Sequence, residues 1–384
     1  MSQSESVRLG VIGIGNIAKQ HITNVRSGQV HGCEISALCS RSSSTLVTEL
    51  ALPYFHDYRE LIASGLCEAI LIATPTYSHF EIASAALQAG LHVMIEKPIG
   101  LSVKEGEDLL ALQQDDQILA VMLNQRADPL FTIMHDLIEQ GVLGEICRTH
   151  WTMTNWFRPE IYFQVSDWRG TWRGEGGGLL LNQCIHNLDI FHWLCGMPRS
   201  VRAFCRFGRF HEIEVEDEVT AYLEYDNGAS GLFVGSTGEA PGINRLDVIG
   251  DKGSLIFDGE RLLLSENEPE TSRFNKETRD MFGQPRSSFR DITPDRSCNQ
   301  HAVVLGNFVR AILEDELLIG PAHVAISSLT LANSMLLSTW EQKTITLPMD
   351  KDRYQRALEQ RIARSSFRKK SDVKAHIDME ASYR

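Results

Sequence analysis

Val7–Ala18 reads VRLGVIGIGNIA, a short apolar run that ends in Gly13-Ile14-Gly15-Asn16-Ile17-Ala18. The run predicts a buried strand, and G-x-G-x-x-A directly after it predicts a tight turn into a helix. The first glycine permits the turn and the second lets main-chain N–H groups close on a pyrophosphate. The small last residue lets helix pack on strand. Strand and helix signals go on alternating. Glu34–Cys39, Ala69–Ala73, Leu91–Ile95 and Ile118–Leu123 read as strands, with helices at Tyr77–Gly90 and Val103–Gln114. This pattern predicts an α/β fold that begins with a doubly wound parallel Rossmann sheet over residues 1–123.

In such a sheet ligands bind at the carboxyl ends of the strands. Gly13, Gly15, Asn16 and Ile17 would meet the pyrophosphate, and Thr74-Pro75 and Glu96-Lys97 follow two further strands at the same edge. The second strand ends in Cys39-Ser40-Arg41-Ser42-Ser43, with no carboxylate for a ribose 2′-hydroxyl. Ser40 and Arg41 suit a 2′-phosphate, so NADP is expected over NAD; the alternative is a solvated loop arginine. Lys97 is either an exposed loop charge or an ammonium that polarises a reacting C–OH.

Glu175–Gly196, EGGGLLLNQCIHNLDIFHWLCG, carries the second signal. Three glycines give a turn, and a helix is predicted after it, closed by Gly196. At about 100° per residue, Asn182, His186 and Asp189 share one face with Trp193. Leu180, Cys184, Leu188, Phe191, Leu194 and Cys195 form the opposite, apolar arc. A solvated face usually carries Lys, Glu and Arg, whereas this one offers an amide, an imidazole and a carboxylate. That choice points to a site; a plain solvated face is the alternative.

At 384 residues, with 43% hydrophobic and 23% charged, the chain can fill two domain cores. A net charge of −13 argues against nucleic acid or an anionic membrane as partner. The eight cysteines show no C-x-x-C pair and no metal spacing, and read as core residues in a reducing compartment. With no apolar signal core at the N-terminus and no run near ~18 apolar residues, a soluble cytoplasmic protein is expected.

GVIGIGNIA, ATPTYSH, GLHVMIEKPIG, LNQRADPLF, LIEQGVLGEI and GGGLLLNQCIHNLDIFHWLCG, with the later NFVRAILEDE and SSLTLANSMLLSTW, together resemble the Gfo/Idh/MocA oxidoreductases. The resemblance implies that Lys97 and His186 are the catalytic pair, that Asp189 binds substrate, and that His79 belongs to the cofactor edge. It implies a C-terminal α/β domain over 124–364 whose large, mostly antiparallel open sheet forms a homodimer or homotetramer. A charged tail, 365–384, would follow. In the inositol-dehydrogenase branch an aspartate stands four residues before the histidine; this chain has Asn182. Asparagine is no base, so proton transfer would rest on a neutral His186 with Asn182 as a substrate ligand.

In the second half, Pro129–Gly141 reads as a helix. Strands are expected at Glu145–Phe157, Val219–Tyr225, Ala229–Gly235, Ile243–Ile249, Ser254–Phe257 and Arg261–Leu264, turned by Asn-Gly and Asp-Gly. Glu266–Ser297 reads as a long loop, and helices recur at Asn307–Glu314 and Val324–Ser338. Asn155–Gly174 is dense in aromatic residues and arginine. Tyr162, Trp168 and Trp172 would stack on a sugar, with Arg169 and Arg173 taking polar substituents; a packed loop or subunit contact attracts the same residues. The expected activity is an NAD(P)-dependent sugar, glycoside or cyclitol dehydrogenase. A glycosidase that retains its nucleotide for transient oxidation is a second reading. A nucleotide-binding sensor without chemistry is a third, against which Lys97 and His186 speak.

Overall fold

Strands buried on both faces must be apolar nearly throughout, and the first six strands follow from that. They are β1 (Val7–Ile12), β2 (Cys33–Cys39), β3 (Tyr54–Phe55), β4 (Ala69–Ile72), β5 (His92–Ile95) and β6 (Leu119–Val121). In the computed structural model, which describes residues 6–41 and 45–366, they form one parallel sheet in the order β3-β2-β1-β4-β5-β6. Helices α1 (Asn16–Arg26), α2 (Thr45–Leu50), α3 (Tyr58–Ala63), α4 (His79–Gln88) and α5 (Val103–Leu112) connect them. The order reverses between β1 and β4, which puts the Gly13 turn at the switch point. Gly13 has φ +92°, and a Cβ there would lie 2.6 Å from the Ala73 carbonyl oxygen, so only glycine fits.

Helix α6 (Pro129–Glu139), N-capped by Asp128, leads to β7 (Ile146–Met153). Three short helices follow: α7 (Glu160–Gln164), α8 (Trp172–Glu175) and α9 (Ile185–Cys195). Next come β8 (Ser200–Phe207), β9 (Glu216–Glu224), β10 (Ser230–Ser236), β11 (Asn244–Gly250), β12 (Gly253–Phe257) and β13 (Leu262–Glu268). The chain continues through α10 (Thr271–Glu277), β14 (Arg286–Asp291), α11 (Gln300–Glu314), α12 (Ala322–Glu341), β15 (Ile345–Thr346) and α13 (Lys351–Arg364). The second sheet has nine strands in the order β14-β13-β12-β11-β7-β10-β9-β8-β15. All its pairs are antiparallel except β7 with β10. Helix α12 packs on β8 and α9 and also meets α5, so it joins the two sheets.

Four expectations need correction. Residues 124–364 are not packed as one piece. Ala302, Leu305, Phe308 and Val309 of α11 return to the first core, beside Leu9, Val11 and Ile22. The helix expected directly after the glycine turn starts late: Gly176 has φ +68°, and α9 begins only at Ile185, beyond Asn182. The loop expected at 266–297 contains α10 and β14. All six side chains of β14 are exposed, so the strand has no apolar alternation to betray it. Strand β8 and helix α13 were not expected at all. Ser42, Ser43 and residues 367–384 of the tail lie outside the described residues. Among the described residues no helix is long and apolar enough to cross a membrane.

Candidate active site

The residues expected at the nucleotide edge lie at the carboxyl ends of β1, β2, β4 and β5. Gly15 precedes α1, whose first N–H groups have no side-chain cap, and a Cβ on Gly15 would meet no atom within 4 Å. Bare helix N–H groups facing open space fit a pyrophosphate. Arg41 is exposed at the end of β2, its guanidinium 3.3 Å from the Tyr77 hydroxyl. Ser40 accepts the Tyr54 hydroxyl on its carbonyl oxygen, and Thr74 Oγ1 accepts the Ser78 hydroxyl. His79 is a different matter. It is buried, with Nδ1 2.8 Å from the Pro98 carbonyl and Nε2 2.8 Å from that of Thr74. Both ring nitrogens are thus engaged, and the ring ties the Thr74-Pro75 turn to the Lys97-Pro98 turn.

Lys97 extends from β5 to the turn before α9. Its Nζ donates to the Asn182 carbonyl at 2.8 Å and to Asn182 Oδ1 at 3.3 Å. Burial lowers its pKa, the Glu96 and Glu175 charges oppose that, and Arg169 and Arg158 add to it. Glu96 turns away to His21, whose Nε2 lies 2.7 Å from Oε1. Burial raises the Glu96 pKa, but the His21 hydrogen bond and the charges of His21, His301 and Lys97 bring it down to about 2.

His186 is the second residue of α9. Burial foremost, then the Lys97 charge, brings its pKa down to about 3, so the imidazole is neutral. Its Nδ1 is buried without a hydrogen-bond partner among the described residues. Asn182 is not on the helix with it but in the turn before, its N–H bonded to Gly178 O. That turn hangs on a carboxylate outside the motif: Glu216 Oε1 accepts the N–H groups of Gly178 and Leu180, both at 2.9 Å. A Cβ on Gly178 would lie 2.2 Å from Glu216 O, so the glycine is required here too.

Asp189 does not join Asn182 as an open ligand. It is buried, and Arg126 binds both of its oxygens at 2.7 and 2.8 Å, with His192 Nε2 3.1 Å from Oδ1. Burial raises its pKa, yet the His192 hydrogen bond and the Arg126 charge hold it below the ordinary value. Arg126 itself lies over the Trp193 ring at 5.0 Å. The aromatic segment divides. Tyr162 OH is 3.3 Å from Asn182 Nδ2, and Arg169 lies 4.2 Å over the Tyr162 ring and 4.8 Å over Trp168. Trp172 is core, buried between Phe207 and Trp340, while Arg173 is exposed.

Two residues that sequence reasoning did not single out complete the site. Glu175, at the end of α8, is buried and accepts from Asn182 Nδ2 at 2.6 Å. His301, at the start of α11, stands edge-on to His21 with ring centroids 5.6 Å apart. His301 is hidden by its distance along the sequence from His21, and Glu175, only seven positions from Asn182, by partners that leave no sequence pattern.

A switch-point nucleotide edge that meets a half-buried lysine and a neutral histidine defines a dinucleotide-binding oxidoreductase. Residues 7–124 match the family model described as oxidoreductase family, NAD-binding Rossmann fold, and residues 131–256 match the GFO/IDH/MocA C-terminal domain. The chain belongs to the Gfo/Idh/MocA family. It is 26% identical to scyllo-inositol 2-dehydrogenase (NADP(+)) IolW of Bacillus subtilis over 362 residues, 89% of this chain and 96% of that protein. It is 28% identical to levoglucosan dehydrogenase of Pseudarthrobacter phenanthrenivorans over 231 residues, 53% of this chain and 59% of that one. Among solved structures, the WlbA dehydrogenase of Bordetella pertussis in complex with NADH and UDP-GlcNAcA superposes with TM-score 0.75 at 25% identity, covering 90% of this chain and all of that one.

Proposed function

We propose that the chain oxidises or reduces a secondary carbinol carbon of a sugar, glycoside or cyclitol with NAD(P), through Lys97 and His186. The observation that carries this reading is the Lys97–Asn182 contact, which brings the strand-end lysine to the turn that leads into the His186 helix. When bound, the nicotinamide supplies or accepts the hydride. Gly13, Gly15, Asn16 and Ile17 would hold the pyrophosphate, with Thr74, Pro75 and the main chain of Glu96 and Lys97 along the same edge. Ser40 and Arg41 would take a 2′-phosphate, which favours NADP.

Lys97 donates an N–H to the reacting oxygen and stabilises the charge that grows there. His186, held neutral, takes the hydroxyl proton on its imidazole in the oxidising direction. Tyr162, Trp168 and Arg169 form the wall of the substrate cleft beside Asn182. Asp189 acts through Arg126 as a support for α9. A panel of cyclitols, free sugars and glycosides, assayed for nucleotide reduction with NAD and NADP in parallel, tests the reading. Reduction with at least one polyol is expected, and none across the panel in either direction contradicts it. The antiparallel sheet is the proposed surface for a homodimer or homotetramer.

A further inference from the structure

Glu175 is buried within the substrate cleft wall, yet no step above uses it. Its two oxygens are both engaged: Oε1 accepts from Asn182 Nδ2 and Oε2 from the Gly170 N–H, each at 2.6 Å. A carboxylate accepts only, so it selects the donor end of the Asn182 amide. That choice turns Oδ1 toward Lys97, 3.3 Å away, while the Asn182 carbonyl takes a second N–H at 2.8 Å. An ammonium has three N–H donors. Two are held by Asn182, which leaves one for a substrate oxygen.

We propose that Glu175 is a positioning residue for hydride transfer, its carboxylate setting the Asn182 amide so that Asn182 holds the Lys97 ammonium with one N–H left for the reacting oxygen. The proposal rests on the Lys97 and His186 reading. The groups that face Glu175 are Lys97 from the end of β5, Arg169 and the Gly170 N–H from the aromatic segment, and Glu216 from β9. Tyr162 OH shares the Asn182 amide. Burial is the largest influence and raises the Glu175 pKa to about 7, against the Gly170 and Asn182 hydrogen bonds and the Arg169 and Lys97 charges. Above that pH the Asn182 amide is locked. Below it a protonated carboxyl can donate, and the lock is lost. His186, with a pKa near 3, does not titrate in this range. Burial also raises the pKa of Glu216, which holds the 178–180 turn, to about 7, so the part of an acid limb near neutrality that belongs to Glu175 is the part that Glu175→Gln removes.

Glu175→Gln is the test, because an amide cannot accept from Gly170 and Asn182 at once. We expect kcat to fall ~10–100-fold above neutral pH, the scale of one charge-assisted hydrogen bond, with nucleotide affinity unchanged and the Glu175 part of the acid limb gone. The double variant Glu175→Gln/Asn182→Asp reverses the polarity. Its new amide accepts from Gly170 and donates to the new carboxylate, which takes Lys97 directly, so kcat should recover at least ~10-fold. In cofactor-free parent protein, infrared carboxyl stretches from Glu175 and Glu216 should titrate near pH 7, and Glu175→Gln should remove one of the two. Parental kcat with an unmoved limb in Glu175→Gln overturns the proposal. So does a pH-independent loss that the double variant does not repair, or an infrared carboxyl titration near pH 7 that Glu175→Gln leaves unchanged. If the parent reduces no nucleotide with any polyol, the dehydrogenase reading fails, and the infrared difference between parent and Glu175→Gln still decides the state of Glu175.

Discussion

Lys97 Nζ lies 2.8 Å from the carbonyl oxygen of Asn182 and 3.3 Å from its Oδ1, so one residue of the glycine-led turn grips the lysine twice. Asn182→Ala keeps the main-chain contact and removes the other. We expect kcat to fall ~10-fold with nucleotide affinity intact, as for one lost hydrogen bond to a charged group. Steady-state kinetics decide it: a rise in substrate KM alone would make Asn182 a substrate ligand.

Cofactor choice should run through Arg41, exposed beside Tyr77 with no carboxylate next to it at the end of β2. In Arg41→Ala, kcat/KM with NADP should drop ~10–100-fold while the value with NAD stays. An enzyme that prefers NAD and ignores the substitution contradicts this.

The Arg126–Asp189 pair is buried and doubly hydrogen-bonded. Breaking such a pair by removing one charge typically costs about 3–5 kcal/mol. Asp189→Asn should therefore lower the urea midpoint in substrate-free protein. Unchanged stability with weaker substrate binding would restore Asp189 as a ligand.

Acid sensitivity should start with the buried histidines. Burial foremost lowers the His301 pKa from 6.5 to about 4, with Glu96 opposing and His21 and Lys97 adding to it. The unfolded chain then takes up the proton first as pH falls. This contribution to stability is complete above pH 6.5 and is lost as pH falls through about 4. Urea midpoints over that window should decline less steeply in His301→Asn than in the parent. Parallel declines would refute the assignment.

The fold was legible where the physics is local. Buried parallel strands have apolar runs, and the Gly13 turn has a steric need that only glycine meets. Strand β14 was illegible because nothing covers it, so its side chains are under no apolar constraint. Of the candidate site, the proximity of Lys97 to the turn before the His186 helix was legible only as strand-end and helix position, since the Asn182 contact that joins them spans 85 positions. Asp189 was misread because helical spacing reports which residues share a face, not which distant residue neutralises them; Arg126 lies 63 positions away. Trp172 was misread because an aromatic residue that fills a core and one that stacks on a sugar look alike in sequence. Glu175 and Glu216 escaped notice because their partners are glycine N–H groups and an amide, which leave no pattern.

The central claim is that Lys97 and His186 together perform the chemistry. Lys97→Met and His186→Ala should each reduce kcat by ~10²–10⁴-fold, the usual range for acid–base groups, on whichever polyol the parent turns over. Nucleotide affinity, followed by cofactor fluorescence in the same samples, should stay near the parental value for His186→Ala. Near-parental kcat in His186→Ala, with the fold intact, would contradict the account.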